Sequence, residues 1–276
     1  MSRERVREEW QQVAQGWRRW EPMFESFSWP LALRMASAAA VGAGQRVLDV
    51  GCGVGDPTLQ VAVLVGPHGR VLGIDIAEGM VAIARERAAA LGLAHVEFRV
   101  DDITSAELPD AAFDVVLGRW SLIYLDDVPA VLERLRRALV PGGRIAVTAW
   151  APLEVNPWFL VPHEALARLG PVPPLDVSVP GLFHLSMDGA LARALVAAGF
   201  QTVGQERVVL SQLVRDGAEF WRMVTDTGGP LGPLIARLSP TDAGAVAADV
   251  ASRLERYRAG EVLRIPAQAQ LAWGRA

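Results

Sequence analysis

The chain reads as an α/β protein built on a mostly parallel sheet. From about residue 46, short β-rich runs alternate with segments of helical spacing. The runs are nearly continuous in apolar residues, and the first empties into a glycine-rich turn. Strands separated by helices of this length form βαβ units, whose parallel strands are covered on both faces and so lack the alternation of a half-exposed strand.

The elements follow in order. Residues 3–40 predict two helices meeting near Glu21-Pro22, because proline cannot donate to a helical ladder. Trp10, Trp17 and Trp20, at spacings of seven and three, share a face of the first. Strands are expected at 46–50, 70–74, 95–99, 114–118 and 144–150, with helices at 57–65, 79–91 and 128–139 between them, where Ala, Leu, Arg and Glu favour helix. Asp126-Asp127 stands just ahead of Val128-Pro129, where acids complement a helix dipole. After Trp150 comes a connection rich in proline (Pro152, Pro157, Pro162, Pro171, Pro173, Pro174, Pro180), long enough to hold a helix around 160–169. A helix at 186–198 stops at Gly199. A strand-like run at 202–213, a helix at 241–258 and a strand at 263–273 complete seven strands. Without repeats or low-complexity linkers, the economical division is an N-terminal helical lid (1–40), a core (41–150), and a substrate-cap segment with the C-terminal part of the same domain (151–276).

Composition removes several functions. Of 276 residues 51% are hydrophobic and 21% charged, ample for a large core. All 27 basic residues are Arg, a bias that a GC-rich genome accounts for. Without Lys there is no Schiff base, no pyridoxal anchor and no P-loop lysine. The one cysteine, Cys52, forms no internal disulfide or multi-cysteine zinc site, and no metal site is expected. A net charge of −4 with arginines interleaved among acids offers no stripe for nucleic acid. The charged start, Met1-Ser2-Arg3-Glu4-Arg5, and the lack of a long apolar run predict a cytoplasmic protein without a membrane span, with a homodimer as one possible assembly.

The densest motif is Asp49-Val50-Gly51-Cys52-Gly53-Val54-Gly55-Asp56 at the carboxyl end of the first strand, where open α/β sheets place ligands. Glycines there let the backbone turn tightly against a ligand. A dinucleotide fingerprint would put a third glycine at Asp56, so a nicotinamide oxidoreductase is disfavoured. The acid Asp49 suits an ammonium group better than a pyrophosphate. Asp75 ends the second strand, placed to accept from ribose hydroxyls, and Asp101-Asp102-Ile103 follows the third, able to meet an exocyclic amine and an aromatic base. In sequence, these strand ends describe a pocket for adenosine with a zwitterionic tail.

Here the chain resembles the class I S-adenosylmethionine-dependent methyltransferases of the bacterial small-molecule type with a methyltransferase-11-like core. The matching stretches are 47–55, Gly73-Ile74-Asp75-Ile76-Ala77-Glu78-Gly79-Met80, Asp101-Asp102-Ile103, Phe113-Asp114 and Leu139-Val140-Pro141-Gly142-Gly143-Arg144. The resemblance implies a Rossmann-like three-layer αβα sandwich with a mostly parallel seven-stranded sheet, an N-terminal helical lid and a helical insertion after the fifth strand. It implies S-adenosyl-L-methionine as donor and S-adenosyl-L-homocysteine as product. By the same resemblance, Asp49 and the Gly51/Gly53/Gly55 loop hold the methionine moiety and Asp75 the ribose. Ile76 and Met80 line the adenine, Asp102 and Ile103 read its edge, Arg119 stands beside the sulfonium, and Trp17 with Trp20 lies on the lid.

A sulfonium is already an activated methyl donor, so alignment and exclusion of water carry the chemistry. Where a base is used, the candidates are His163 and Tyr124, with His184 behind them; His68 and His95 fall at the wrong end of the sheet. Trp17, Trp20, Trp120, Trp150, Trp158, Phe159 and Phe183 predict an aromatic wall for a small organic acceptor. Arg119-Trp120-Ser121-Leu122 lacks the Asp/Asn-Pro-Pro-aromatic signature of nucleobase and glutamine amide methylation. O-methylation of a hydrophobic or aromatic secondary metabolite leads; C- or N-methylation, or a donor-binding protein catalysing a non-methylating rearrangement, are the alternatives.

Overall fold

The computed structural model describes residues 2–172 and 175–276, so Pro173 and Pro174 of the proline-rich connection lie outside it. Five strands run parallel: β1 (Arg46–Val50), β2 (Arg70–Asp75), β3 (Val96–Val100), β4 (Phe113–Arg119) and β5 (Leu139–Trp150). The antiparallel strands are β6 (Gln201–Val214), β7 (Arg258–Ala259) and β8 (Val262–Arg275). The order is β3-β2-β1-β4-β5-β8-β6, with β7 paired to β8. This is the Rossmann-like sheet the motifs predict, with one addition: the two-residue β7, folded back on β8 through a turn at Gly260, whose φ is 65°. Central strands are apolar on both faces, as Leu48, Val116 and Ala146, all fully buried, illustrate. Asp49 is the buried polar exception in that run.

The helices are α1 (Arg3–Ala38), α2 (Thr58–Val65), α3 (Glu78–Ala90), α4 (Val128–Ala138), α5 (Pro157–Ala167), α6 (Ala190–Ala197), α7 (Gly217–Thr227), α8 (Gly232–Ile235) and α9 (Pro240–Leu254). Asp127 caps α4 by accepting from Ala130 N at 3.0 Å. Sequence reasoning missed α7, although Asp216 accepts from Glu219 N at 2.7 Å and Glu219 reaches back to Arg215 N, a recognisable helix start.

The largest departure is at the N-terminus, where a single helix replaces the expected pair. Both Pro22 and Pro30 sit on the exposed side of α1, so the carbonyls they leave without an N–H, those of the exposed Arg18 and Ser26, face water. An interior proline costs about 3 kcal/mol, and burying Phe27, Leu31 and Met35 beyond Pro22 returns about 1.5–3 kcal/mol each. Packing outweighs the break. Elsewhere β5 begins at Leu139, not 144, because Leu139 pairs with Phe113 before a register shift. The helix expected over 186–198 starts later, at Ala190, after the left-handed Gly189.

Candidate active site

The site forms where β1, β2, β3 and β4 end. The glycine turn leaves β1 and crosses toward β2, with Gly51 N and Cys52 N both donating to Ile74 O at 2.7 and 3.0 Å. Gly51 has φ 71°, and a Cβ there would stand 2.4 Å from Ser121 Cβ, so only glycine fits. Gly53 has φ 53°, and nothing of the protein lies within 4 Å of where its Cβ would be: that space belongs to the cavity. Asp75 secures the turn, accepting from Gly53 N and from Ala77 N at 2.9 Å each. Burial pushes its carboxyl upward, and those backbone donors pull it back.

One cavity runs along this edge, and its lining divides by residue type into two parts, or chambers. The first is floored by Gly51, Gly53 and Asp75 and flanked by Ile76, Met80, Asp101 and Ile103. The second is walled by Trp120, Trp150, Trp158, Phe159 and Pro162, with Gln212, Met223 and Leu231 arriving from the C-terminal half. Trp120 stacks on Trp150 at 4.2 Å, and Trp150 tilts onto Trp158 at 4.6 Å. Trp120 itself is held at φ 54°, a strained conformation for a bulky residue, with its N–H donating to Thr148 Oγ1 at 3.0 Å. The buried Gln212 is the side-chain amide of this chamber, and its Nε2 meets only the thioether of Met223 at 2.8 Å.

Helix α1 roofs both chambers. Arg3, Trp10, Trp17 and Phe24 recur every seven residues, close to two helical turns, and all four line the cavity. Trp17 stacks on Phe24 at 4.3 Å and meets Trp10 at 5.7 Å; its buried Nε1 has no partner among the described residues. Two ion-pair clusters hold the roof down. Arg3 grips Asp102 at 2.8 and 3.0 Å, and Arg87 of α3 joins Glu21 and Glu25 of α1 to Asp56 of the glycine turn, at 2.8, 3.3 and 2.9 Å.

Of the donor and base candidates, Trp17, Gly51, Gly53, Asp75, Ile76, Met80, Ile103, Arg119 and Tyr124 meet at the cavity. The others do not reach its surface. Trp20, three residues beyond Trp17, is rotated off the roof face and donates its Nε1 to Asp226 Oδ2 of α7 at 2.8 Å. Asp102 is spent on Arg3 and Thr104, and its neighbour Asp101 faces the cavity instead. Gly55 turns the chain into α2, with Leu59 against the space beside it. Asp49 stays fully buried, accepting from Thr58 Oγ1 at 2.5 Å while its Oδ1 has no partner among the described residues; burial pushes its carboxyl up to about 6, opposed by that hydrogen bond and by the charge of Arg119. His163 has a buried Nε2 with no partner among the described residues, but it is Trp158, Phe159 and Pro162 of its helix that line the cavity. Of the expected aromatic wall, Phe183 packs on Phe159 at 5.1 Å outside the lining. Tyr124 is present, edge-on to Trp10 at 5.4 Å, but burial drives its phenol far above its ordinary pKa, which disqualifies it as a base. His184 also lies outside the lining, its Nδ1 3.3 Å from Ile123 O.

Residues 42–165 match the family model described as a methyltransferase domain. Nocamycin O-methyltransferase of Saccharothrix syringae is 37% identical over 63% of this chain and 65% of its own. Aklanonic acid methyltransferase DauC of Streptomyces sp. (strain C5) is 37% identical over 52% of this chain and 68% of its own. The chain thus spans about two thirds of the length of these curated relatives. The [4+2]-cyclase SpnF shares the fold, with a TM-score of 0.55 at 23% identity, covering 96% of this chain and 95% of that one. The chain belongs to the class I S-adenosylmethionine-dependent methyltransferases. The first chamber fits that donor: an open backbone cradle at Gly53, a carboxylate at Asp75, and apolar flanks at Ile76, Met80 and Ile103.

Proposed function

We propose that the protein transfers a methyl group from S-adenosylmethionine to an oxygen atom of a small, largely apolar aromatic molecule, releasing S-adenosylhomocysteine. The observation that carries this reading is the single cavity joining a glycine-floored chamber to an aromatic one. The backbone of Gly51 and Gly53 receives the amino-acid end of the donor and Asp75 its ribose, while Ile76, Met80 and Ile103 enclose the base beside Asp101. Asp49 and Gly55 act through the turn without touching the donor. The donor brings an activated methyl group; Trp120, Trp150 and Trp158 orient a flat acceptor against it and exclude water. The names of the two curated relatives, an O-methyltransferase and an acid methyltransferase, support oxygen as the accepting atom and a small molecule as its carrier.

Calorimetric titration with S-adenosylmethionine tests the first chamber, with micromolar binding expected. Mass spectrometry of products from a panel of aromatic phenols and acids tests the second. A gain of one methyl group on oxygen is the expected result, and a product of unchanged mass would turn the assignment toward rearrangement chemistry.

A further inference from the structure

Among the described residues, Arg119 is the one cation at the junction of the two chambers. Its Nη2 and Nε converge on a single acceptor, Asp56 O, at 2.8 and 3.3 Å, and its guanidinium carbon lies 4.8 Å from the centroid of the Trp120 ring. No acceptor among the described residues meets Nη1. The charges around it are Asp49 on β1, Asp56 in the turn and Arg87 on α3. Asp56 is engaged by Arg87 and Gln60 and Asp49 by Thr58, so neither carboxylate hydrogen-bonds the guanidinium. Asp49 and Asp56 partly offset its charge, but neither occupies its free edge, and beside a sulfonium that edge favours an anion.

The described lining also offers no base for the acceptor. Its titratable side chains are Arg3, Asp75, Asp101, Arg119 and Tyr124. The two carboxylates belong to the donor chamber, and Tyr124 stays protonated. An acceptor that arrives neutral has nothing to take its proton; one that arrives ionised needs nothing.

We propose that the acceptor is a carboxylate on a flat apolar skeleton, held by the free edge of the Arg119 guanidinium between that cation and the sulfonium, and methylated to its ester. A carboxylate oxygen supplies the electron pair of the new C–O bond. The methyl–sulfur bond breaks, its pair stays on sulfur as the neutral thioether, and no proton is transferred. A guanidinium suits the task because it stays charged when buried and pairs with carboxylates in a fixed plane.

This inference rests on the donor site proposed above, and the test separates the two. Protein loaded with S-adenosylhomocysteine is titrated calorimetrically with 2-naphthoate and with its neutral isostere 2-naphthamide. The acid is expected to bind about tenfold tighter or better. R119Q abolishes that preference, and R119K, which keeps the charge without the planar fork, retains part of it. With S-adenosylmethionine, 2-naphthoate yields a base-labile methyl ester. Equal binding of acid and amide by the wild-type protein overturns the proposal and needs no variant. So does a loss of S-adenosylhomocysteine affinity in R119Q as large as its loss of acid binding, which would make Arg119 a donor contact, and so does preferential methylation of 2-naphthol. Failure to bind S-adenosylhomocysteine at all sinks the donor site, and this proposal with it.

Discussion

The two chambers are made of different material. The donor chamber is floored by backbone: turn amides, positive-φ glycines and a carboxylate tied down by two N–H groups, all from the β1–β2 stretch of the chain. The acceptor chamber is side chain: three indoles, from just past β4, from β5 and from α5, with Gln212 and Met223 brought in by β6 and α7. A backbone surface has no spare atoms to exchange, whereas an aromatic wall can trade one ring for another and still exclude water. One fold can therefore keep a fixed donor and change its acceptor.

That contrast can be broken. The largest effect is expected from Gly51→Val, whose side chain collides with Ser121 in a backbone conformation valine avoids; donor affinity should fall about 1,000-fold in calorimetry, roughly 4 kcal/mol. Arg87→Ala strands Glu21, Glu25 and Asp56 and should lower stability by about 3 kcal/mol in urea unfolding. Asp49→Asn sharpens the comparison by setting stability against function. Burial holds the Asp49 carboxyl at about 6 against an ordinary 3.8, so the native fold binds the proton more tightly than the unfolded chain and loses stability as pH climbs through that window. The asparagine variant should be about 3 kcal/mol more stable than wild type at pH 8, with the gap closing below pH ~4. Equal unfolding midpoints at pH 8 would show that the buried carboxylate carries no such burden. The smallest effect belongs to the side-chain chamber: Trp158→Ala should raise acceptor KM about tenfold, roughly 1.4 kcal/mol, with donor affinity unmoved.

The same contrast explains what the sequence made legible. The first chamber is local, each contributor lying at a strand end announced by a hydrophobic run, so the cavity positions of Gly51, Gly53, Asp75 and Ile103 were legible from spacing and family resemblance. Asp102 was misassigned to its neighbour's position because alternation at a strand end gives no account of Arg3, 99 residues away, which takes its carboxylate. Trp20 failed for a plainer reason: three residues leave it about 60° around the helix from Trp17, enough for its indole to reach Asp226 of α7 instead of the cavity. The heptad of Arg3, Trp10, Trp17 and Phe24 was open to view, but it crosses Pro22, and local propensity argued for a break that tertiary packing overrides. Gln212 and Met223 had no signal at all, since only the antiparallel return of β6 and the unrecognised α7 bring them to the cavity.

A 36-residue helix is a rod about 54 Å long, and α1 lies over both chambers at once. Mechanically it is a lever. A tilt that lifts Trp17 from the first chamber would also lift Phe24 and Phe27, so opening of one chamber is expected to open the other. Ion pairs tie the rod down along its length, from Arg3–Asp102 through Arg87–Glu21 to Arg34–Glu206.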